Sequence, residues 1–146
     1  MQRQQRGFTL IELVVVITIL GILAAFAIPK FAGLEKNARI AAIQGLAGSV
    51  RAAAALAHSV ALVTPTTSSQ SITMEGSAVT MGFLYPTADS AGIVATLQDI
   101  ASSFTDNGDG TIDLTGAPTP TTCRVTYTAP GALNAPPVVG ILTAGC

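Results

Sequence analysis

Seven residues without a hydrophobic run, MQRQQRG, precede an apolar stretch from position 8 to position 28 whose only ionisable side chain is Glu12. As a helix those 21 residues extend about 31 Å at roughly 1.5 Å per residue, enough to cross a bilayer core. Pro29 closes the segment, because proline lacks an amide donor and clashes with the preceding turn. Helical periodicity resumes at once, so a kink is expected rather than a break. From 31 to about 63 nearly every residue is a helix former. Ile43, Leu46, Val50, Ala53, Ala57 and Val60 make an apolar stripe able to cover a sheet. Leu34, Ala38, Ala41, Gly45, Gly48, Ala52 and Ala55 make a second, small-residue seam that would let other helices approach closely. An Ala-rich core helix of a monomer would carry the same residues.

Thr64-Pro65 is expected to end the helix, since proline disfavours helix in the residue before it, and 66–71 reads as a polar loop. Short β-prone runs follow at 72–74 and 79–83. Ile93, Leu97, Ile100 and Phe104 fall at helical spacing and predict a second short helix over 91–104. The spans 110–114, 124–129 and 138–142 read as strands, separated by Pro/Gly/Thr loops at 115–122 and 130–137. One long helix followed by a small antiparallel sheet is an α+β fold.

Composition narrows the function. The chain has 146 residues, one domain's worth, with 10% charged residues and a net charge of −1, so no basic face for nucleic acid is implied. Five Phe, two Tyr and no Trp also argue against a base-stacking surface. His58 is the single histidine, which removes most triad and zinc arrangements, and it reads as a packing or surface residue of the helix. No phosphate loop or cofactor fingerprint is present, so neither an enzyme nor a cofactor is expected. Asp106-Asn107-Gly108-Asp109-Gly110-Thr111-Ile112-Asp113 resembles part of an EF-hand loop. In that register the first ligand position is Thr105 and the twelfth Gly116, so essential calcium ligands are missing. Asn-Gly and Asp-Gly between β-prone runs also make the strongest short hairpin signals. A turn is expected, with Asp106, Asp109 and Asp113 the residues of an incomplete metal loop. Cys123 and Cys146 are a disulfide pair in a translocated protein and two unrelated thiols in the cytosol.

The N-terminus therefore decides. Ala25-Phe26-Ala27 would suit a signal-peptidase site, and a plain single-pass anchor would keep the whole segment. Neither accounts for Glu12, since a carboxylate is costly at mid-bilayer and less so near the interface. Lys30, Lys36 and Arg39 after the span outnumber Arg3 and Arg6 before it, which weakly opposes a cytoplasmic N-terminus. The short polar leader and the cysteine-bearing distal part favour it.

Gly7-Phe8-Thr9-Leu10-Ile11-Glu12, after a short basic leader and before an unbroken apolar run, resembles the prepilin signature of type IV pilins and of type II secretion pseudopilins. The resemblance implies a leader, 1–7, cut between Gly7 and Phe8 by prepilin peptidase, with methylation of the new Phe8 amine. The short leader and Phe start look like the type IVa class. Residues 8–29 would be the transmembrane and filament-core helix, 30–63 its amphipathic continuation, and 64–146 a globular head like that of pilins. Within the head, a disulfide between Cys123 and Cys146 would bound residues 123–146, as in pilin D-regions and unlike the usual major pseudopilins. Gln44-Gly45-Leu46 and the Ala-rich helix after Pro29 somewhat resemble mannose-sensitive haemagglutinin pilins over about the first sixty residues.

A physical role for Glu12 follows. Cleavage would create an α-amino group cationic at neutral pH, and mono-methylation leaves its charge in place. Glu12 lies at i+4 from Phe8, near the positive end of the helix dipole. In a filament the family suggests that it pairs with the Phe8 ammonium of a neighbouring subunit, a registry device for the bundle. An interfacial Glu near the headgroups is the simpler alternative. The expected partners are further copies of the chain, prepilin peptidase, the inner membrane and the pilus assembly machinery. The precursor would sit in the bacterial inner membrane and the product in an extracellular pilus. A pseudopilin or minor pilin, or a secreted binding module with an ordinary signal peptide, are the competing functions.

Overall fold

A computed structural model describes residues 8–64 and 69–146, except for the Ala32 side chain. The leader 1–7 with Gly7, the expected helix stop Pro65, and positions 66–68 of the expected loop lie outside the described residues. The chain divides into two compact units, residues up to Asn37 and Ala38–Cys146.

A single helix, α1, spans Leu10–Val63 with Pro29 inside it. Its last turn closes on Thr64, whose N–H and hydroxyl both donate to the Val60 carbonyl. In the unit Ala38–Cys146, α1 buries Ile43, Leu46, Ala47, Val50, Ala54, Ala57 and Ala61. The expected stripe is corrected in detail: Ala53 and Val60 are half-buried, and Ala47, Ala54 and Ala61 take the core positions. Rows at i+3 and i+4 are chemically alike when both positions are small, so the sheet decides which one faces inward. The seam Ala38, Ala41, Gly45, Gly48, Ala52 and Ala55 is exposed throughout.

Among the described residues eight short strands follow. Antiparallel hairpins pair β1 (Ile72–Met74) with β2 (Ser77–Val79), and β3 (Met81–Gly82) with β4 (Tyr85–Pro86). A four-stranded antiparallel sheet runs in the order β5 (Phe104–Asp106), β6 (Thr111–Leu114), β7 (Arg124–Thr128), β8 (Val138–Leu142). The molecule is α+β, as its sequence predicts. In the register, Ile112 faces Val125 and Asp113 faces Arg124. Ile112, Val125 and Tyr127 close on Ile43, Ala47 and Val50 to form the main core. Ile43, Ile112 and Val125 are wholly buried, each contributing about 1.5–3 kcal/mol. A smaller cluster joins Ala57 and Ala61 to Ile72, Val79 and Met81.

Two expectations fail. The predicted helix over 91–104 is replaced by single 3-10 turns at Val94–Thr96 and Ile100–Ser102, and Phe104 begins β5. Leu97 is extended and Asp99 left-handed between the two turns. The four apolar residues of that spacing nonetheless share one destination, since Ile93, Leu97, Ile100 and Phe104 all pack on the main core. Backbone bonds to Thr87 and Asp89 hold the start of the segment outside a helical path: Ile93 N–H donates to the Thr87 carbonyl and Gly92 N–H to Asp89 Oδ1. The predicted strand 79–83 also divides, since Thr80 leaves its hairpin to bond Ala91 and Thr87, and the chain reverses at Phe83-Leu84.

That reversal is costly. Glu75-Gly76 turns β1 into β2 with both φ positive, and glycine at the second position suits it. Phe83 and Leu84 adopt φ of 52° and 69° with no glycine, and a left-handed non-glycine residue costs about 1–2 kcal/mol.

Candidate functional site

The N-terminal unit is described by itself. Thr9 precedes α1 and Glu12 lies in its first turn. Thr9 N–H and Thr9 Oγ1 both donate to Glu12 Oε2, at 2.9 and 2.8 Å, and Glu12 N–H points at Thr9 Oγ1 at 3.4 Å. This is a capping box: two orphan backbone donors at the helix start are met by two side chains that satisfy each other. Glu12 is exposed, beside the apolar side chains of Phe8, Ile11, Val15 and Val16. The only hydroxyl in the middle of the run, on Thr18, donates to the Val14 and Val15 carbonyls, so it too is satisfied within the helix.

The rest of the segment is apolar and open. Phe8 is 86% exposed, and Leu10, Ile22, Leu23, Phe26, Ile28 and Phe31 are all largely uncovered. An 18-residue window reaches mean hydropathy 2.8 with none of it buried within the chain. Such a surface is unsustainable in water over this length. Its cover must come from lipid or from other chains.

The unit Ala38–Cys146 contains the cysteines. Cys123 and Cys146 are joined, with their Cα atoms 4.9 Å apart. Gly145 N–H donates to the Thr122 carbonyl, Thr119 N–H to the Gly145 carbonyl, and Arg39 Nη1 to the Cys146 oxygen at 3.2 Å. The last described residues are thereby tied both to the loop before β7 and to α1. Arg39's part in this was not visible in the sequence, where it counts only as a charge following the span. Gly145 has no room for a side chain, because an added Cβ would strike the Thr119 oxygen.

The three candidate metal carboxylates do not converge. Asp106 accepts from Ser90 Oγ and from Gly108 N–H. Asp109 accepts from Thr111 Oγ1 and N–H at 2.6 and 3.0 Å, and the Thr111 hydroxyl chiefly holds its carboxyl below the ordinary value. Asp113 lies on β6, nearly buried, in an ion pair with Arg124 (Nε to Oδ1 2.8 Å, Nη2 to Oδ2 3.2 Å). Among the described residues no group of three His, Cys, Asp or Glu side chains could hold a metal ion. Residues 107–110 form the hairpin loop between β5 and β6, as their Asn-Gly and Asp-Gly steps predict.

His58 has a more definite place than its sequence suggests. Its ring stacks on Tyr85, with centroids 4.1 Å apart and planes 2° from parallel. Nδ1 lies 2.9 Å from the Leu84 carbonyl, an acceptor only, so this nitrogen carries the proton. The helix thus clamps the strained reversal.

Residues 2–28 match the family described as the prokaryotic N-terminal methylation motif. The chain is 37% identical to the "Type IV narrow pilus major component PilA5" of Thermus thermophilus over 113 residues, 75% of this chain and 96% of that protein. It is 34% identical to the "Type IV major alpha-pilin" of Moraxella bovis over 113 residues, 76% of this chain and 68% of that one. Similarity to the "Type II secretion system core protein G" of Dickeya chrysanthemi reaches 53% but covers 38 residues, 26% of this chain and 25% of the relative. No solved structure matches the chain.

Proposed function

Because the chain belongs to the type IV pilin family, we propose that it is the precursor of a major pilin, the structural subunit of a pilus filament. Prepilin peptidase cuts between Gly7 and Phe8 and methylates the Phe8 amine, leaving residues 8–29 as the membrane anchor and later the filament core. Residues 30–63 continue the helix into a head formed by 64–146. The reading rests chiefly on one observation, the fully exposed apolar segment that opens on Phe8, Thr9 and Glu12.

Polymerisation supplies the cover that segment needs. In the membrane lipid does so, and in the extracellular filament the same helices from neighbouring copies do. Glu12 then has a second task. Once the leader is gone, the Phe8 ammonium of a neighbour outcompetes Thr9 for the carboxylate, because a charged donor bonds it more strongly than a neutral hydroxyl. A misregistered subunit leaves both charges unpaired in a low-dielectric bundle, which selects the correct stagger. The exposed seam around Gly45 and Gly48 extends the surface available to neighbouring helices. The chain has no enzymatic role in this scheme; it is a building block delivered to the assembly machinery from the inner membrane.

A pseudopilin of a type II secretion machine shares the first segment, as the resemblance to protein G over 38 residues indicates. The similarity to pilus components extends into the head and favours the pilus. Electron microscopy of sheared cell surfaces tests the reading: thin filaments composed of this chain, starting at methylated Phe8 by mass spectrometry, are expected. A mature chain starting at Ile28 would refute it.

A further inference from the structure

The chain has three asparagines, Asn37, Asn107 and Asn134, and the fold treats them differently. Asn107 is exposed at the start of the loop between β5 and β6, and Gly108, also exposed, follows it. Gly108 has no side chain to screen its nitrogen, and a Cβ added there would meet only Ser90 Oγ, at 3.7 Å. Its N–H takes no part in the strand ladder. It donates to Asp106 Oδ1 at 2.9 Å, a side chain that can release it without breaking any strand pairing. The Asn107 amide is held as lightly, by one bond from Nδ2 to Thr111 Oγ1 at 2.9 Å.

The other candidates are locked. Asn37 lies inside α1, where the Ala38 N–H belongs to the helix ladder and a methyl group stands beside it. Asn134 is left-handed, with φ of 65°, and the N–H after it, on Ala135, is bonded to the Ala132 carbonyl. The Asp109-Gly110 step sits in the same loop in a different setting. Thr111 gives its N–H and its hydroxyl to Asp109 Oδ1, which favours the anionic carboxylate, a poor target for a nucleophile. Gly110 is buried, and a Cβ there would strike the Tyr127 oxygen, so a ring has no room to form.

We propose that Asn107 is a self-modification site, which converts to a mixture of aspartate and isoaspartate in the folded protein without an enzyme. The Gly108 nitrogen attacks Asn107 Cγ, and the new C–N bond closes a five-membered succinimide. The bond from Cγ to Nδ2 breaks, and ammonia leaves with the proton that the Gly108 nitrogen gives up. Solvent water then opens the ring, its hydroxyl joining a carbonyl carbon and its proton the nitrogen. Opening at Cγ gives aspartate; opening at the main-chain carbonyl gives isoaspartate and lengthens the backbone by one carbon. Either product replaces a donor to Thr111 Oγ1 with a carboxylate, and one added carboxylate takes the formal net charge of the chain from −1 to −2. The site belongs to the folded unit and holds whether or not the chain forms a filament.

The full chain in detergent, folded and separately unfolded in guanidinium, is incubated at mildly alkaline pH in water labelled with heavy oxygen. Mass spectrometry of the loop peptide should show one labelled oxygen taken up per converted copy, with isoaspartate among the products. The folded chain should convert at Asn107 within about tenfold of the unfolded rate, and Asn37 and Asn134 should lag it by about tenfold or more. A folded rate further below the unfolded one shows that the hairpin protects Asn107, and overturns the proposal. A product free of isoaspartate shows direct hydrolysis and overturns it too. Asn107→Gln keeps an amide donor and should block the change while the thermal midpoint holds; the same mass gain in that variant places the reaction elsewhere.

Discussion

Thr9 and Glu12 hold each other: the threonine gives its N–H and its hydroxyl to one carboxylate oxygen, and the glutamate N–H faces the hydroxyl in return. The acid that looks misplaced in an apolar run is thus already provided for before any other chain arrives. Its charge stays solvated by two donors at the helix end, where the dipole also favours it.

The cap and the charge of Glu12 are separable. Glu12→Ala removes both, whereas Glu12→Gln keeps a capping-box side chain and removes the charge. Both variants should be processed and inserted, and both should incorporate poorly into filaments. Wild-type filament yield from Glu12→Gln would show that registry does not depend on a carboxylate–ammonium pair.

The disulfide closes a long loop, its cysteines being 23 residues apart. On the chain-entropy view its loss costs about 3 kcal/mol, a large part of what a small head has to spend. Paired Cys123→Ser and Cys146→Ser changes in the full chain in detergent should lower the thermal midpoint markedly. Arg39→Met should lower it less, since it removes one bond to the Cys146 oxygen. An unchanged midpoint in the double serine variant would mean that the neighbouring backbone bonds suffice.

Tyr127 makes the head sensitive to alkali. Its hydroxyl donates to the Pro86 carbonyl at 2.9 Å, and burial, with a smaller electrostatic contribution from nearby Tyr85, pushes its ionisation well above the ordinary tyrosine value near 10. With the folded value raised, the neutral form binds its proton more tightly in the native state. The contribution is whole below about pH 10 and is lost as pH rises further. Tyr127→Phe should lose about 1 kcal/mol at neutral pH, through the unmet Pro86 carbonyl, and should show a flatter decline in stability above pH 10. A parallel decline in both proteins would contradict the assignment.

The Phe83-Leu84 reversal costs the fold stability, because neither residue is a glycine. Replacing Phe83 alone with Asn supplies a residue at ease with positive φ, leaves Leu84 packed on the smaller cluster, and should raise the thermal midpoint. Differential scanning calorimetry of the full chain in detergent reads the change. A lowered midpoint would show that the Phe83 side chain contributes more than its backbone costs.

Much of this protein is legible along the chain because its strongest signals are local. The apolar run, its single acid at i+4 from Phe8, the helix to Val63, the strands at 72–74 and 138–142 and, but for Ala129, the one expected over 124–129 all follow from periodicity and propensity, which need no partner to act. The Asn-Gly and Asp-Gly hairpin is read the same way, since its backbone demands are built into those residues.

Other features depend on groups distant in sequence, and there the chain alone is mute. Ile93, Leu97, Ile100 and Phe104 announce burial correctly, yet the backbone beneath them is set by bonds to Thr87 and Asp89. Which alanines of α1 face inward is settled by the sheet. His58 becomes a clamp only when Leu84 and Tyr85 are brought against it, and Arg39 becomes a tie only beside Cys146. A local pattern carries its own free energy and survives being read in isolation; a long-range contact exists only once folding has met the entropy of closing the chain between its partners.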